Sequence, residues 1–264
     1  MELSTIRLET SGQVAVITLN RPDNMNTFNL TMLKELVAVV ERLSLDGEIR
    51  AVVLTGEGRA FSAGADVKGV DELLGINEER IEAQDIMKLV NRVTLSIRQA
   101  PKPFIAALNG VAAGASANFA LACDMIIASE KARLAENFIN IGLVPDGGGT
   151  FFLPQLVGYQ RAAEIIFTGR ILTAQEAFEL GLYNQVVAPE AVMPTAMALA
   201  NKLAGMPTRA IAAGKAIMNR DILHRLRDCL EQEACCQREM AGSSDAREGI
   251  TAFIEKRPPC FTGK

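Results

Sequence analysis

The chain has 264 residues, 49% of them hydrophobic, with 27 basic against 31 acidic residues and a formal net charge of −4. That length and apolar content are enough for a substantial core and exclude a disordered chain. The mild acidity, without any basic run, gives no electrostatic basis for nucleic-acid binding, so the expected partners are small molecules or further copies of the chain. No segment approaches eighteen consecutive apolar residues, and the opening MELSTIRLET has no apolar core. Neither a membrane span nor a secretory signal is read, and a cytoplasmic location is expected. The cysteines Cys123, Cys229, Cys235, Cys236 and Cys260 are odd in number and lack metal-site spacing. They fit a reducing compartment, with neither a disulfide framework nor a metal site.

In chain order, VAVITLN (Val14 to Asn20) reads as a strand and the following NRPDNMN as a loop of turn formers. Leu33, Leu36, Val37, Val40 and Leu43 then recur at helical spacing, as do Ile86, Leu89, Val90, Val93 and Ile97. Between and after these helices lie short apolar runs with β-branched residues: RAVVLTG (Arg50 to Gly56), PFIAALNG (Pro103 to Gly110) and DMIIAS (Asp124 to Ser129). Near-continuous apolar strands alternating with helices imply an α/β fold whose sheet is covered on both faces. From about Arg161 the patterns are helical, with a capping box expected at Thr173 and Glu176 and a helix stop at Gly181. This C-terminal region is expected to pack onto the sheet or onto another subunit.

Two glycine-containing corners and one acid stand out. GRAFSAGADVKG (Gly58 to Gly69) and NGVAAGASANFALACD (Asn109 to Asp124) each follow a strand, and their small residues allow close backbone approach to a ligand. The second runs into a helix start, where N–H groups are unpaired. Two such corners facing one carbonyl oxygen would make an oxyanion hole. Asp146, in NIGLVPDGGGT, reads either as a turn or helix-capping residue or as a base whose pKa is raised in a dry pocket. Glu136 reads as a strand-edge ion-pair residue with catalysis as the alternative, and Asp66 and Asp71 as loop acids. The sole histidine, His224, lies on a charged amphipathic helix and reads as a surface residue. The Cys235–Cys236 pair reads as helix packing, and Lys256 as a solvated terminus within reach of a phosphate.

The succession VAVITLNRPDNMN, GEGRAFSAGADV, KPFIAALNGVAAGASANFALACDMIIAS, IGLVPDGGGTFFLPQLVG, AEIIFTGRILTAQEAFELGLYNQVV and SSDAREGITAFIEKRPPCFTG resembles the enoyl-CoA hydratase/isomerase, or crotonase, family. The resemblance covers nearly the whole chain. It implies a spiral of ββα units forming an acyl-CoA-binding core over residues 1–200. A helical trimerisation region over 201–264 follows, assembled as homotrimers or dimers of trimers. It further implies that the N–H groups of Ala65 and Ala115 hold the thioester oxygen. Ala63 and Asp66 then lie on the adenine side, and Phe253 and Lys256 reach the CoA of an adjacent subunit. CoA is part of the substrate, and no separate cofactor or metal is implied.

The chain departs from the family where the best-known hydratases carry two catalytic glutamates, since Asn118 and Phe138 stand in those places. Asp146 matches the aspartate of a GL(V/I)PD branch. AGASANFALACD and IGLVPD are most similar to ring-epoxide isomerases acting on arylacetyl-CoA and to bacterial enoyl-CoA isomerases. The leading expectation is therefore an acyl-CoA isomerase with Asp146 as general acid and base. The alternatives are an enoyl-CoA hydratase, an aryl-CoA substitution with Asp146 as nucleophile, and a non-catalytic acyl-CoA binder. The acyl pocket is expected to draw on the segment from Val70 to Met87.

Overall fold

Apolar strands require cover on both faces, and the order of the chain supplies it. The computed structural model describes residues 3–66 and 80–264, with the side chains of residues 80–85 excepted. Strands β1 (Ile6–Ser11) and β2 (Val14–Leu19) form an antiparallel hairpin, followed by α1 (Leu30–Leu45). The chain then repeats a long strand, a tight turn and a short strand. β3 (Ala51–Gly56) leads to β4 (Ala60–Ser62) and on to α2 (Arg80–Gln99). β5 (Phe104–Leu108) leads to β6 (Val111–Ala113) and α3 (Ala115–Ala122), and β7 (Met125–Ser129) leads to β8 (Arg133–Ala135). A 3-10 turn at Asn137–Ile141 and α4 (Gly149–Val157) follow.

Beyond α5 (Tyr159–Thr168) come β9 (Ile171–Thr173), α6 (Ala174–Glu179) and β10 (Gln185–Val187). The chain closes with α7 (Val192–Ala204), α8 (Thr208–Asn219), α9 (Ile222–Ala241) and α10 (Ser244–Glu255). The long strands form one sheet in the order β1-β2-β3-β5-β7-β10, parallel apart from β1. The short strands form a second sheet, β4-β6-β8-β9. This is an α/β fold of repeated ββα units with a helical C-terminal region, the architecture the resemblance implied.

Alternation along each strand sends side chains to opposite faces. Ile17, Val52, Leu54, Phe104 and Ala106 enter the main core with α1 and α3. Val14, Ala51, Val53, Ile105 and Ala107 point the other way, against Val192, Ala196, Ala200 and Ala204. Alanine at every fourth position of α7 lets that helix lie close on the sheet. No described helix is long and apolar enough to cross a membrane.

The expected capping box is present: the Glu176 N–H donates to Thr173 Oγ1 (3.2 Å), and the Thr173 N–H to Glu176 Oε2 (2.8 Å). Gly181 adopts a left-handed conformation (φ +79°) just past α6. Cys235 and Cys236 are exposed on α9, where packing was expected, because the stripe that α9 buries runs through Leu226, Leu230, Glu233, Gln237 and Ala241 and misses both. His224 is exposed, 3.7 Å from Asp228 one turn on.

A buried ammonium fastens the C-terminal helices to the sheet. Lys215 Nζ on α8 donates to the carbonyls of Ile97 (3.1 Å) and Lys102 (3.2 Å) and pairs with Asp124 Oδ2 at 2.7 Å. The same Oδ2 accepts the Phe104 N–H at 2.8 Å. Lys215→Met keeps the length of the side chain and strands the Asp124 carboxylate. It is expected to cost about 3 kcal/mol, the scale for breaking a buried pair. A lower urea midpoint with unchanged slope is the readout, and an unmoved midpoint would mean that the pair contributes nothing net.

Candidate active site

The two sheets bring the glycine corners together. Parallel pairing of β4 with β6 sets Ala60 against Val111 and Ser62 against Ala112, so the segments leaving these strands emerge side by side. The Ser62 and Ser116 hydroxyls meet at 2.7 Å across the join. Gly110 turns between β5 and β6 against the Arg59 carbonyl, leaving no room for a Cβ.

The loop after β2 pins the first corner. Asn26 donates to the Glu57 and Ala60 carbonyls (2.9 and 2.8 Å) and accepts the Arg21 N–H (2.9 Å). The Ala63 N–H donates to Met25 O (3.0 Å), Gly64 to Ser62 Oγ (3.3 Å) and Asp66 to Phe28 O (3.0 Å). The Ala65 N–H has no acceptor among the described residues. At the second corner Gly114, at φ +55°, turns the chain into α3 and leaves the Ala115 N–H similarly free in the first helical turn.

Both corners open onto a cavity of about 450 Å³. Its walls include Met25, Phe28, Met87, Phe138 and Leu143, all apolar, together with Ala63, Ala65 and Ala115. Asp146 lines it, is only 6% exposed, and is the one carboxylate among the described lining residues. A solvated turn or a helix cap does not describe it. The N-terminus of α4 is capped from a distance by Glu233 on α9, whose carboxylate accepts the N–H groups of Gly148 (2.8 Å) and Thr150 (2.9 Å) and the Thr150 hydroxyl. Among the described residues, Asp146 Oδ2 accepts one hydrogen bond, from Gln237 Nε2 at 3.1 Å, and the buried Oδ1 has no partner. Burial, and after it the nearby Glu233 charge, push the Asp146 pKa up to about 7, against the Gln237 hydrogen bond, which lowers it.

Glu136 is fully buried and makes no strand-edge ion pair. Its one side-chain hydrogen bond among the described residues is a long one, 3.5 Å from Asn118 Nδ2, and burial holds its pKa well above the usual carboxylate range. Gly149 packs against these groups: a Cβ there would sit 2.8 Å from both Asn118 Nδ2 and Glu136 Oε2.

The family model described as enoyl-CoA hydratase/isomerase matches residues 9–264. The chain belongs to this family. It is 42% identical to a probable enoyl-CoA hydratase of Rhodobacter capsulatus over the full length of both chains. It is 39% identical to the 1,2-epoxyphenylacetyl-CoA isomerase of Escherichia coli over 95% of each. An enoyl-CoA hydratase crystal structure from Mycobacterium avium subsp. paratuberculosis superposes with a TM-score of 0.89 at 31% identity, covering 99% of this chain and 100% of that one. The protein is thus an enzyme of an acyl-CoA-binding family with general hydratase/isomerase chemistry, and no single branch stands out among its relatives.

In this family member Asn118 is buried and donates to the Asp146 carbonyl at 2.7 Å, which holds the Pro145–Gly148 turn in place. Phe138 presents its ring to the cavity beside Gly114. Ala63 lines the cavity, and Asp66 pairs with Arg21 at 2.8 Å. Phe253 lines the cavity of its own chain and remains 55% exposed, while Lys256 caps α10 in a left-handed conformation and is exposed. Asp71 and residues 70–79 of the expected acyl-pocket segment lie outside the described residues. Met87, at the end of that segment, lines the cavity. The sequence reading missed Glu233 and Gln237. Their signal was two polar residues, four apart, inside the apolar stripe of α9.

A carboxyl group whose folded pKa exceeds its unfolded value binds its proton more tightly when folded. Stability therefore falls as pH rises from the unfolded value near 4 to the folded value near 7. Asp146→Asn removes that dependence. Relative to the parent it is expected to gain stability progressively over this window, reaching roughly 2–4 kcal/mol above it. Urea unfolding at pH 4, 5.5, 7 and 8 checks this, and a constant difference between the two proteins would contradict it.

Proposed function

We propose that this enzyme is an acyl-CoA isomerase in which Asp146 takes a proton from one carbon of a bound thioester and returns it to another. The observation that carries the reading is the position of Asp146 as the sole described carboxylate on an apolar cavity, with a pKa of about 7. A group poised near the working pH serves as base and then as acid. One such group is enough to move a double bond between positions 3 and 2 of an enoyl-CoA. It is also enough for an arylacetyl-CoA ring epoxide, whose ring rearranges largely through its own electronics. Hydration asks for more, because water must be activated while a proton reaches the α carbon. Asn118 and Phe138 supply no proton carrier for that division of labour.

Removing a proton beside, or vinylogous to, the thioester collects charge on its oxygen. We assign the free N–H groups of Ala65 and Ala115 as the donors that meet it. Ala63 and Asp66 on one side, and Phe253 and Lys256 at the C-terminus, are assigned to the CoA moiety. The exposed Ile217, Met218 and Ile254 on α8 and α10 support assembly of copies of this chain through the C-terminal helices. A hydratase activity, which the name of the Rhodobacter capsulatus relative favours, would have to draw its water toward Asp146, since Glu136 does not line the cavity.

Asp146→Ala is expected to lower kcat/KM by about 100-fold or more on whichever of 3-enoyl-CoA and 1,2-epoxyphenylacetyl-CoA the parent isomerises. In the parent, kcat/KM is expected to rise with pH through an apparent pKa of about 7 as the carboxylate forms. Retained turnover in the variant would remove Asp146 from the mechanism. Hydration of crotonyl-CoA as fast as isomerisation would promote the hydratase reading.

A further inference from the structure

A primary amide buried in an apolar stripe must satisfy both of its ends. Gln237 does so in a way that fixes its direction. Its Oε1 accepts the Val144 N–H at 3.3 Å, and its Nε2 donates to Asp146 Oδ2 at 3.1 Å. The Val144 N–H can be met only by the amide oxygen, so the NH₂ group is turned toward the carboxylate. Val144 is two residues before Asp146, so one side chain clamps the backbone and the side chain of the same turn. Gln237 and Asp146 both line the cavity, and the buried Asp146 Oδ1 has no partner among the described residues.

We infer that Gln237 is a positioning residue that holds Asp146 by Oδ2 and by the Val144 backbone, and keeps the carboxylate form accessible in a dry wall. The inference rests on the proposed role of Asp146 as proton carrier. Charged and titratable groups surround the pair. Glu233 lies one turn back along α9, Glu136 lies behind Asn118, and Arg238 of α9 and Arg257 after α10 line the same cavity. Burial and Glu233 favour the protonated form of Asp146, and the hydrogen bond from Gln237 opposes them. Without that donor a smaller share of the group is in the carboxylate form at neutral pH.

The test follows the Asp146 titration by carboxyl-carbon NMR in protein labelled at aspartate, with Asp146→Asn identifying the resonance. The pH profile of kcat/KM is recorded alongside it. In Gln237→Met the titration is expected to move up by about one pH unit, the size of a lost charge-assisted hydrogen bond. The acid limb of the rate profile should move with it, and activity should return at pH values above both. Gln237→Asn, which keeps an amide but shortens its reach, should move both in the same direction and serves if the methionine variant does not fold. An unmoved titration in a folded variant overturns the inference, as does a rate lowered equally at every pH. A titration that moves while the rate profile stays put supports the hold on Oδ2 and removes Asp146 from proton transfer, so the two readings fail separately.

Discussion

Three carboxylates are buried around the start of α4, and the number of donors each one finds decides what it can do. Glu233 accepts two backbone N–H groups and a hydroxyl at a helix N-terminus, contacts that favour its carboxylate form against the burial that raises its pKa. Glu136 has one long hydrogen bond, from Asn118, among the described residues, and burial holds it strongly toward its neutral form. Asp146 is the intermediate case, a residue of the cavity wall with one good hydrogen bond on Oδ2 and a buried Oδ1 that has no partner among the described residues. Desolvation raises all three, but among the described carboxylates only Asp146 lines the cavity, and its proton affinity lies near neutrality. Moving any donor in this group would redistribute the charge among the others.

The backbone that holds this arrangement follows from close approach. Gly147 and Gly148 take left-handed conformations (φ +67° and +104°), which bring the chain from Pro145 into α4 without side-chain bulk. Gly142 and Gly249 let the 3-10 turn and α10 touch backbone to backbone. A Cβ at Gly249 would sit 2.6 Å from Ile141 Cα, and one at Gly142 would sit 2.7 Å from the Ala246 nitrogen. That contact is how the last helix of the chain becomes a wall of the same cavity. The short sheet acts from the opposite side, since its parallel register places the Ala65 and Ala115 corners together without any direct backbone bond between them.

Much of this could be read in the sequence, for reasons that differ by element. β2, β3, β5 and β7 were legible because strands buried on both faces become continuous apolar runs. β4, β6, β8 and β9 have three residues each and carry no period that can be recognised in so short a span. β1 escaped notice because it is an edge strand with mostly exposed side chains. The capping box was legible because both partners lie within one turn. Asp146 stood out by its glycine context, but its burial depends on α9, nearly a hundred residues later, and so does its partner Gln237. Glu136 was misread for the same reason: its neighbours, Asn118 and Gly149, are local in space and distant in sequence.

On the proposed reading, Asn118 and Phe138 support Asp146 as the proton carrier without carrying protons themselves. A carboxamide at position 118 neither gives nor takes a proton, and its NH₂ group holds the Asp146 carbonyl. A phenyl ring at position 138 places apolar surface beside the Gly114 corner, where a carboxylate would have ordered water. The lower polarity of that wall strengthens any hydrogen bond from the Ala65 and Ala115 amides to a charged oxygen, because little solvent competes for it. It also raises the proton affinity of Asp146. On the proposed reading, the dryness that helps stabilise the enolate is what threatens to neutralise the base, and the Gln237 amide is the contact that keeps the two demands compatible.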